Sequence, residues 1–270
     1  ASLAAGEATD GTGNTDVLVD IENLVGSAYD DELTGDANDN KLTGGAGDDT
    51  LEGLAGSDTY SFSEGWGNDA VIESSFHTGT DGLDFSVFKS DLEFTVHADD
   101  SVSVTDRTGF LGDVAGSLDF LPKEIGQIVG AGSNIESTAA IEKLTGGGAV
   151  NWFVIETGAG SNPDTALTLE TAPGGQALLD YSHYVNAVIA DIGTGIATGV
   201  KAAAGLAGFV IGSADAQLTG SSGSDKASFA GGSGGVIVSL VGQSFITATG
   251  TGSLLGFEEL EGTVYGDTLE

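Results

Sequence analysis

Four consecutive nine-residue blocks over residues 26–61 constrain the fold of this chain more than any other feature of its sequence. Their sequences are GSAYDDELT, GDANDNKLT, GGAGDDTLE and GLAGSDTYS. Each block opens on glycine, has Asp or Asn at its sixth place and has a large apolar residue at its eighth. The sixth-place residues are Asp31, Asn40, Asp49 and Asp58, and the eighth-place residues are Leu33, Leu42, Leu51 and Tyr60. This period of nine is typical of a parallel β-roll.

The spacing predicts a six-residue turn followed by a three-residue strand in each block. Two blocks then complete one coil of a flattened solenoid, and each block stacks on the block two places later. Glycines let the turns adopt positive φ and leave backbone carbonyls uncovered. The sixth-place carboxylates can close on a cation held between stacked turns, and oxygen ligands at roughly 2.3–2.6 Å favour Ca²⁺ over a transition metal. The alternative, that these are merely solvated Gly/Asp turns, is disfavoured by four copies in phase.

These blocks resemble the RTX (repeats-in-toxin) nonapeptide G-G-x-G-x-D-x-U-x, and the block over residues 44–52 matches it at every defined place. In that family one turn offers the carbonyls of places two and four and the sixth-place carboxylate. The turn two blocks later offers places one and three and its own sixth-place side chain. The resemblance therefore implies an all-β fold, a parallel β-roll or β-solenoid with calcium-binding turns, followed by a more irregular β segment.

The resemblance also implies three calcium sites, each lying between two stacked turns. The ligands of the first would be Ser27, Tyr29, Asp31, Gly44, Ala46 and Asp49. The ligands of the second would be Asp36, Asn38, Asn40, Gly53, Ala55 and Asp58. After a two-residue slip at positions 62 and 63, those of the third would be Gly45, Gly47, Asp49, Glu64, Trp66 and Asp69. Some positions depart from the family pattern: Asn40 carries no charge, and Ser27, Asp36, Leu54 and Glu64 replace family glycines.

The charge balance of the chain agrees with a cation-binding role. Seven basic and 41 acidic residues give a formal net charge of −34, which excludes nucleic acid as a natural partner and opposes compaction unless cations neutralise it. We therefore expect a poorly folded chain without Ca²⁺. There is no cysteine, so disulfides, thiolate metal sites and a cysteine nucleophile are excluded.

The composition favours short strands throughout, because 45 glycines and three prolines make long helices improbable. We expect four segments: a calcium-binding β-roll over 1–72, a β segment with a hairpin over 73–140, a degenerate half-repeat of the solenoid over 141–256, and the start of a further unit over 257–270. The hairpin is predicted around residues 99–100, and one short helix is allowed at 121–128. In the degenerate half, Phe153, Val188 and Ile189 are among the expected inward side chains.

Internal repetition extends beyond the nonapeptides. The phrase IENLVG at residue 21 recurs as IEKLTG at residue 141 and as FEELEG at residue 257, so a copy lies near each end of the chain. Residues 1–9 align with 190–198, and residues 262–270 align with 26–34. We therefore expect a unit excised from a tandem array, and the alternative is that a neighbouring subunit supplies the coil that follows residue 270.

The sequence offers no recognisable catalytic arrangement. His77, His97 and His183 are scattered, and neither an HExxH zinc motif nor a Gly-x-Ser-x-Gly elbow occurs. Asp180, Ser182 and His183 are close in sequence, but neighbours in a strand point to opposite faces and cannot align as a triad. We expect a protein that is not an enzyme.

Two classes of function remain. The first is a calcium-stabilised structural repeat of a large secreted or cell-surface bacterial protein, such as an adhesin, an extracellular filament or matrix, or a surface layer. The RTX resemblance implies type I secretion in an unfolded state and folding in extracellular Ca²⁺. The second is a non-catalytic accessory module of a secreted enzyme, acting in secretion, folding or polysaccharide binding.

The expected partners follow from these two classes. They are Ca²⁺, neighbouring repeat units or copies of the chain itself, including head-to-tail assembly, and cell-surface or matrix polysaccharide. No stretch approaches the roughly 20 apolar residues that a membrane span needs, so no membrane span is expected. The expected location is extracellular, at or near the cell surface.

Overall fold

The structure, a computed structural model, describes residues 1–73, 79–98, 102–106, 141–156, 167–182, 184, 187–191, 194–211, 216–219, 226–229, 237–240, 242–247 and 251–270. These residues form 26 strands and no helix, which confirms the all-β prediction. The described residues thus contain no helix that could cross a membrane. The short helix allowed at 121–128 lies outside them.

The first nine strands are short; the first two form an antiparallel hairpin, and the other seven build the roll. They are β1 (Glu7–Thr9), β2 (Thr15–Val17), β3 (Asn23–Val25), β4 (Glu32–Thr34), β5 (Lys41–Thr43), β6 (Thr50–Glu52), β7 (Thr59–Ser61), β8 (Ala70–Ile72) and β9 (Gly82–Asp84).

The strands of the roll stack as the nine-residue period predicts. Leu33 in β4 lies opposite Leu51 in β6, and Leu42 in β5 lies opposite Tyr60 in β7, in parallel register. The partners in each pair come from blocks two places apart, so every block stacks on the second block after it. All four side chains are buried, because the central residue of each three-residue strand faces the interior while its neighbours face solvent.

The remaining strands have two to six residues. They are β10 (Leu92–Val96), β11 (Val102–Asp106), β12 (Lys143–Gly146), β13 (Val150–Ile155), β14 (Leu167–Thr171), β15 (Gln176–Tyr181), β16 (Val188–Asp191), β17 (Ile196–Ala197), β18 (Val200–Ala203), β19 (Leu206–Ile211), β20 (Ala216–Thr219), β21 (Lys226–Ser228), β22 (Ile237–Ser239), β23 (Ser244–Ile246), β24 (Thr251–Leu255), β25 (Glu259–Glu261) and β26 (Thr268–Leu269). β10 and β11 form the antiparallel hairpin predicted around residues 99–100.

Apart from the two-stranded sheet of β1 and β2, the chain alternates between one long sheet and two shorter ones. In the described residues the long sheet has 14 strands, starting at β3, β5 and β7 and ending at β26. Opposite it, β4, β6 and β8 form one short sheet, and a seven-stranded sheet runs from β11 and β10 through β13, β15, β19 and β21 to β25. The two-strand-per-coil path of a solenoid therefore persists after the nonapeptides end.

The core changes character along the solenoid. In the roll it consists of one buried side chain from each strand of two sheets, Leu or Tyr in most strands and Val71 in β8. An aromatic cluster fills the region where the roll meets the hairpin. Phe62 stacks on Phe85 with ring centroids 4.7 Å apart, and Trp66 contacts Phe88 edge to face at 5.1 Å. Apolar stacking of this kind continues through the second half of the chain.

The expected inward position of Ile189 is wrong. Phe153 and Val188 are buried, but Ile189 has 64% of its surface exposed. Val188 and Ile189 are neighbours in β16, and successive side chains of a strand point to opposite faces. Only one of the two can face the core.

Candidate metal centre

The turns of the roll come in two conformations. In the blocks that start at Gly44 and Gly53, places two and four have positive φ: Gly45 at 119°, Gly47 at 122°, Leu54 at 79° and Gly56 at 121°. In the blocks that start at Gly26 and Gly35, no residue has positive φ. Only the later two blocks thus adopt the open turn that glycine permits.

Stacked turns approach each other closely in the two open blocks. A Cβ on Gly47 would lie 2.6 Å from the carbonyl carbon of Tyr29, and a Cβ on Gly56 would lie 2.5 Å from the carbonyl oxygen of Asn38. Real Cβ atoms essentially never come within 3.0 Å of such atoms. No side chain therefore fits at positions 47 and 56, and the stacked backbones can lie in direct contact.

The sixth-place side chains form ladders between stacked turns. One carboxylate oxygen, Oδ1, accepts the backbone N–H of the sixth-place residue in the turn before it. The bonds join Asp31 N to Asp49 at 2.8 Å, Asn40 N to Asp58 at 2.7 Å, Asp49 N to Asp69 at 2.9 Å and Asp58 N to Asp81 at 2.7 Å. This bond fixes the orientation of each carboxylate and directs its second oxygen into the interior.

The second oxygens of Asp49 and Asp69 are the atoms that most favour a bound cation. Both are buried and have no hydrogen-bond partner, and the two residues are only 1% and 2% exposed. Burial raises the pKa of Asp69 to about 7 and also raises the pKa of Asp49, in each case against a backbone N–H bond that lowers it. An uncompensated buried carboxylate is costly, and a hard, oxygen-liganded ion such as Ca²⁺ would remove that cost.

The residues of the third implied site lie together as its spacing requires. Gly67, with φ of 82°, stacks on the carbonyl group of Gly47, and Asp69 lies beneath Asp49. Glu64 is exposed, and the side chain of Trp66 is buried in the aromatic cluster, so Trp66 could contribute only its carbonyl oxygen. Calcium binding at Gly45, Gly47, Asp49, Glu64, Trp66 and Asp69 stays a prediction.

The residues of the first implied site also stack, but several of their atoms already make hydrogen bonds. Ser27 donates its N–H to Asp31 Oδ2 at 2.5 Å, and its carbonyl accepts the N–H of Ala46 at 3.3 Å. The N–H of Tyr29 donates to Ser27 Oγ at 3.2 Å. The turn over residues 26–31 is thus closed by its own side chains, although it lies directly above Gly44 and Asp49.

The second implied site is closed in a similar way. The side-chain oxygen of Asn40 accepts the N–H of Asp36 at 2.7 Å, and its amide nitrogen donates to the carbonyl of Glu22 at 3.0 Å. Asn38 donates to the Asp36 carboxylate at 2.8 Å, and Ala55 donates to the Asp36 carbonyl at 3.2 Å. Since the amide of Asn40 both accepts and donates here, this turn places less demand on a cation than the turn carrying Asp49.

A further acidic cluster was missed by the sequence reasoning. Carboxylate oxygens of Asp58, Glu73 and Asp81 lie within 4.8 Å of one another, and the hydroxyl of Tyr60 donates to Glu73. Burial, followed by the charge of Asp81, raises the pKa of Glu73 to about 8, and burial also raises the pKa of Tyr60. These groups could hold a cation where the stacked turns that carry Asn40 and Asp58 end at Asp81.

The signal for Asp81 was present in the sequence. Residues 79–83 read GTDGL and fit places four to eight of the nonapeptide, and Gly79 stacks on the carbonyl of Gly56 as the fourth place requires. The insertion between Ile72 and Gly79 breaks the period, which hides this turn. Glu73 had no sequence signal, because it joins the cluster from the end of the preceding strand.

Comparisons with known proteins agree with the geometry. Residues 23–60 match the family model of the RTX calcium-binding nonapeptide repeat, which spans four copies. The match covers Asp31, Asn40, Asp49 and Asp58 and ends before Asp69. A comparison with curated proteins gave no match.

Proposed function

Because residues 23–60 are RTX calcium-binding nonapeptide repeats, we propose that this chain is a calcium-stabilised structural unit of a larger secreted or cell-surface bacterial protein. Candidate contexts are an adhesin, an extracellular filament or matrix, or a surface layer. The proposal that the unit has no catalytic activity rests on the absence of hydrolase and zinc-protease motifs from its sequence. The single observation that carries the calcium-dependent role is the pair of buried second oxygens on Asp49 and Asp69.

The electrostatics of the roll support a folding switch driven by Ca²⁺. Lys41 is the only Lys or Arg in residues 1–73, so the stacked carboxylates have almost no protein cation to neutralise them. Extracellular calcium modules typically bind with Kd of roughly 10⁻⁴–10⁻³ M. At about 100 times its Kd, each ion adds roughly 2.7 kcal/mol to the free energy of unfolding, so a few ions can decide whether the roll folds.

This dependence fits export before folding. A chain that meets little free Ca²⁺ inside the cell would keep its turns open and its carboxylates solvated, which suits passage through a secretion channel. Folding would follow when the chain reaches extracellular Ca²⁺. Type I secretion is the route that the repeats suggest for this unit.

The test is a calcium titration of the full chain, monitored by circular dichroism. We expect the β signal of the roll to appear cooperatively as Ca²⁺ is added and to disappear with a chelator, whereas the β signal of the second half of the solenoid remains. Asp69→Asn removes one of the two buried charges, so we expect the calcium midpoint to rise by about tenfold, which corresponds to roughly 1.4 kcal/mol. Terbium luminescence sensitised by Trp66 gives a direct measure of ion binding in the same samples.

The matched control is Asp16→Asn, which removes an equal charge from the exposed strand β2. We expect it to leave the calcium midpoint unchanged. A β signal that is identical with Ca²⁺ and with chelator would overturn the proposal. An equal shift for Asp16→Asn and Asp69→Asn would show that net charge, and not a site, controls folding.

A further inference from the structure

The two ends of the chain fold into the same structure. We call residues 1–34 the leading segment and the described residues of 238–270 the closing segment. Each contains an antiparallel hairpin followed by two strands of the solenoid. Ser2 pairs with Glu7 as Ser239 pairs with Ser244. The hairpin β1–β2 pairs Ala8 with Asp16, just as β23–β24 pairs Phe245 with Gly252. The turn of the first hairpin is one residue longer.

The equivalence extends to unusual backbone positions. Gly6 with φ of 67° corresponds to Gln243 with φ of 50°, and Asp20 with φ of 53° corresponds to Gly256 with φ of 75°. Gln243 and Asp20 adopt a left-handed conformation that non-glycine residues rarely take. Each therefore reproduces a turn that the other segment forms with glycine.

The calcium-type turn of each segment is also closed by the same side-chain bonds. Thr263 donates its N–H to Asp267 at 2.8 Å, and Tyr265 donates its N–H to Thr263 Oγ1 at 3.0 Å. In the leading segment the corresponding bonds run from Ser27 to Asp31 and from Tyr29 to Ser27. The two segments are thus alike in side-chain contacts as well as in backbone.

The neighbours of the two segments differ. In the closing segment, β24 pairs in parallel with β20, and β25 pairs in parallel with β21. In the leading segment, the corresponding strands β2 and β3 each end their sheet among the described strands. Val17 and Val25 on these strands are 78% and 77% exposed. Exposed edges of this kind are templates for further strand pairing.

We propose that the edges of β2 and β3 form a docking surface whose occupant is a second copy of this unit, which contributes its strands β20 and β21. The closing segment shows the arrangement: β20 and β21 already bind a segment with the same backbone as the leading one. In the docked state Leu218 of β20, which lies opposite Leu254, would lie opposite Leu18. Residues 1–34 of one copy would replace residues 238–270 of the preceding copy.

One contact of the closing segment would change. Lys226 in β21 forms an ion pair with Glu261 at 2.7 Å, and Ser228 also donates to Glu261 at 2.8 Å. The residue that corresponds to Glu261 is Val25. This exposed ion pair contributes little to stability, so the strand pairing and the apolar contacts would carry the interaction.

The docked copy would have its two faces exchanged. β3 belongs to the long sheet, whereas its counterpart β25 belongs to the seven-stranded sheet. In the docked copy, β3 takes the place of β25 of the preceding copy. The long sheet of the docked copy therefore lies on the side where the preceding copy has its shorter sheets. Successive units would present the same residues on alternate sides of the solenoid.

This inference rests on the proposed function as a repeat unit, and its test is run in saturating Ca²⁺ so that calcium-dependent folding is not in question. The experiment compares the full chain with a fused chain in which residues 1–237 are followed directly by residues 1–270. Hydrogen exchange is followed by mass spectrometry in the peptide covering residues 15–25. A third chain joins two complete copies through a flexible Gly/Ser linker as the control.

In the full chain and in the linker control, we expect a single, rapidly exchanging population of this peptide. In the fused chain we expect two populations of equal size, one of them exchanging about a hundredfold more slowly, because β2 and β3 of the second copy are paired and open only with their neighbours. Rapid exchange of both copies would overturn the proposal. Loss of hydrogen-exchange protection in residues 50–72 of the fused chain, relative to the full chain, would overturn it too. The proposal requires that residue 237 of one copy can be joined to residue 1 of the next without disturbing the roll. Calcium-dependent folding of the single full chain would stand in either case.

Discussion

At the scale of single residues, replacing one carboxylate oxygen by an amide nitrogen decides whether a buried turn favours a cation. Asn151 is the sixth residue of a segment that opens on Gly146, as Asp49 is the sixth residue of the block that opens on Gly44. The second oxygen of Asp49 has no hydrogen-bond partner, whereas the amide nitrogen of Asn151 donates to three backbone carbonyls at 3.1–3.2 Å, those of Gly147, Ala149 and Gln176. The Asn151 oxygen accepts the N–H of Gly147 at 2.8 Å. Asparagine therefore closes its turn with the donor that a metal ion would otherwise replace.

Asn151→Asp should destabilise the degenerate half of the solenoid. The change keeps the shape of the side chain but removes a donor from three carbonyls and buries a charge, so we expect a loss of about 3 kcal/mol in the free energy of unfolding. Urea denaturation in calcium-free buffer measures it. Gln217→Glu makes the same chemical change at an exposed position of β20 and should be nearly neutral. Equal effects of the two variants would contradict the role given to Asn151.

The pKa of Asp69 gives the calcium-free roll an unusual pH dependence. Burial raises this pKa from 3.8 to about 7, so the folded state binds a proton more readily than the unfolded state does. The associated stability is fully present below about pH 4 and is lost as the pH rises through 7. We expect the calcium-free roll to retain more β signal at pH 5 than at pH 8, and Asp69→Asn to flatten that difference in circular dichroism. In saturating Ca²⁺ the order should reverse, because protons then compete with the ion.

At the scale of elements, the roll is assembled from turns and strands that contact mainly their stacked neighbours. Each three-residue strand buries one side chain, so no strand is stable by itself. The turns must then approach closely enough for the strands of stacked blocks to pair. Close approach is possible because glycine occupies the positions where a Cβ would meet the backbone of the turn above.

Gly47→Ala tests this requirement for close approach. Its φ of 122° is nearly restricted to glycine, and a Cβ there would lie 2.6 Å from the carbonyl carbon of Tyr29. We expect a loss of at least about 2 kcal/mol in the free energy of unfolding, seen as a higher calcium midpoint in circular dichroism. Gly11→Ala is the matched control, because Gly11 has neither a positive φ nor an atom within 4 Å of the position that a methyl group would take, and it should change stability by less than about 0.5 kcal/mol. Comparable losses would show that glycine content alone matters.

At the scale of the whole molecule, different interactions stabilise the two halves of one solenoid. The roll combines a narrow apolar file with stacked carboxylates, whereas the second half stacks large apolar side chains. Phe153, Leu179 and Phe209 are all fully buried there, on strands β13, β15 and β19, which pair in sequence. Because the units of a solenoid contact mainly their neighbours, the two halves can lose structure separately.

Removal of Ca²⁺ should therefore unfold the roll first. We expect chelator to abolish hydrogen-exchange protection in β4, β6 and β8 while β13, β15 and β19 keep theirs. Addition of Ca²⁺ should restore the roll. Loss of protection in both sets at the same calcium concentration would mean that the solenoid folds as one cooperative body.

The nonapeptide period predicted the roll, the pairing of strands from blocks two places apart and the buried eighth-place side chains. That prediction was possible because the strand pairings within the nonapeptides join blocks two places apart, so local spacing specifies them. The period also brought Asp49 and Asp69 into one candidate site. It did not reveal that the turns at Gly26 and Gly35 are closed by Ser27, Asp36 and Asn40, since hydrogen bonds within a turn depend on its conformation.

Only the tertiary structure decided which groups meet where the period is interrupted. Glu73 directly follows β8, whereas Asp58 and Asp81 directly precede β7 and β9, which pair with each other. No local pattern specifies that these three residues meet. Likewise, the sequence showed that the phrase at residue 21 recurs at residue 257, but only the sheets show which strands lie beside each copy. The sequence by itself determined what repeats in this protein, because repetition is a local property. The structure decided what each repeat contacts, because contacts across the solenoid depend on how the whole chain is packed.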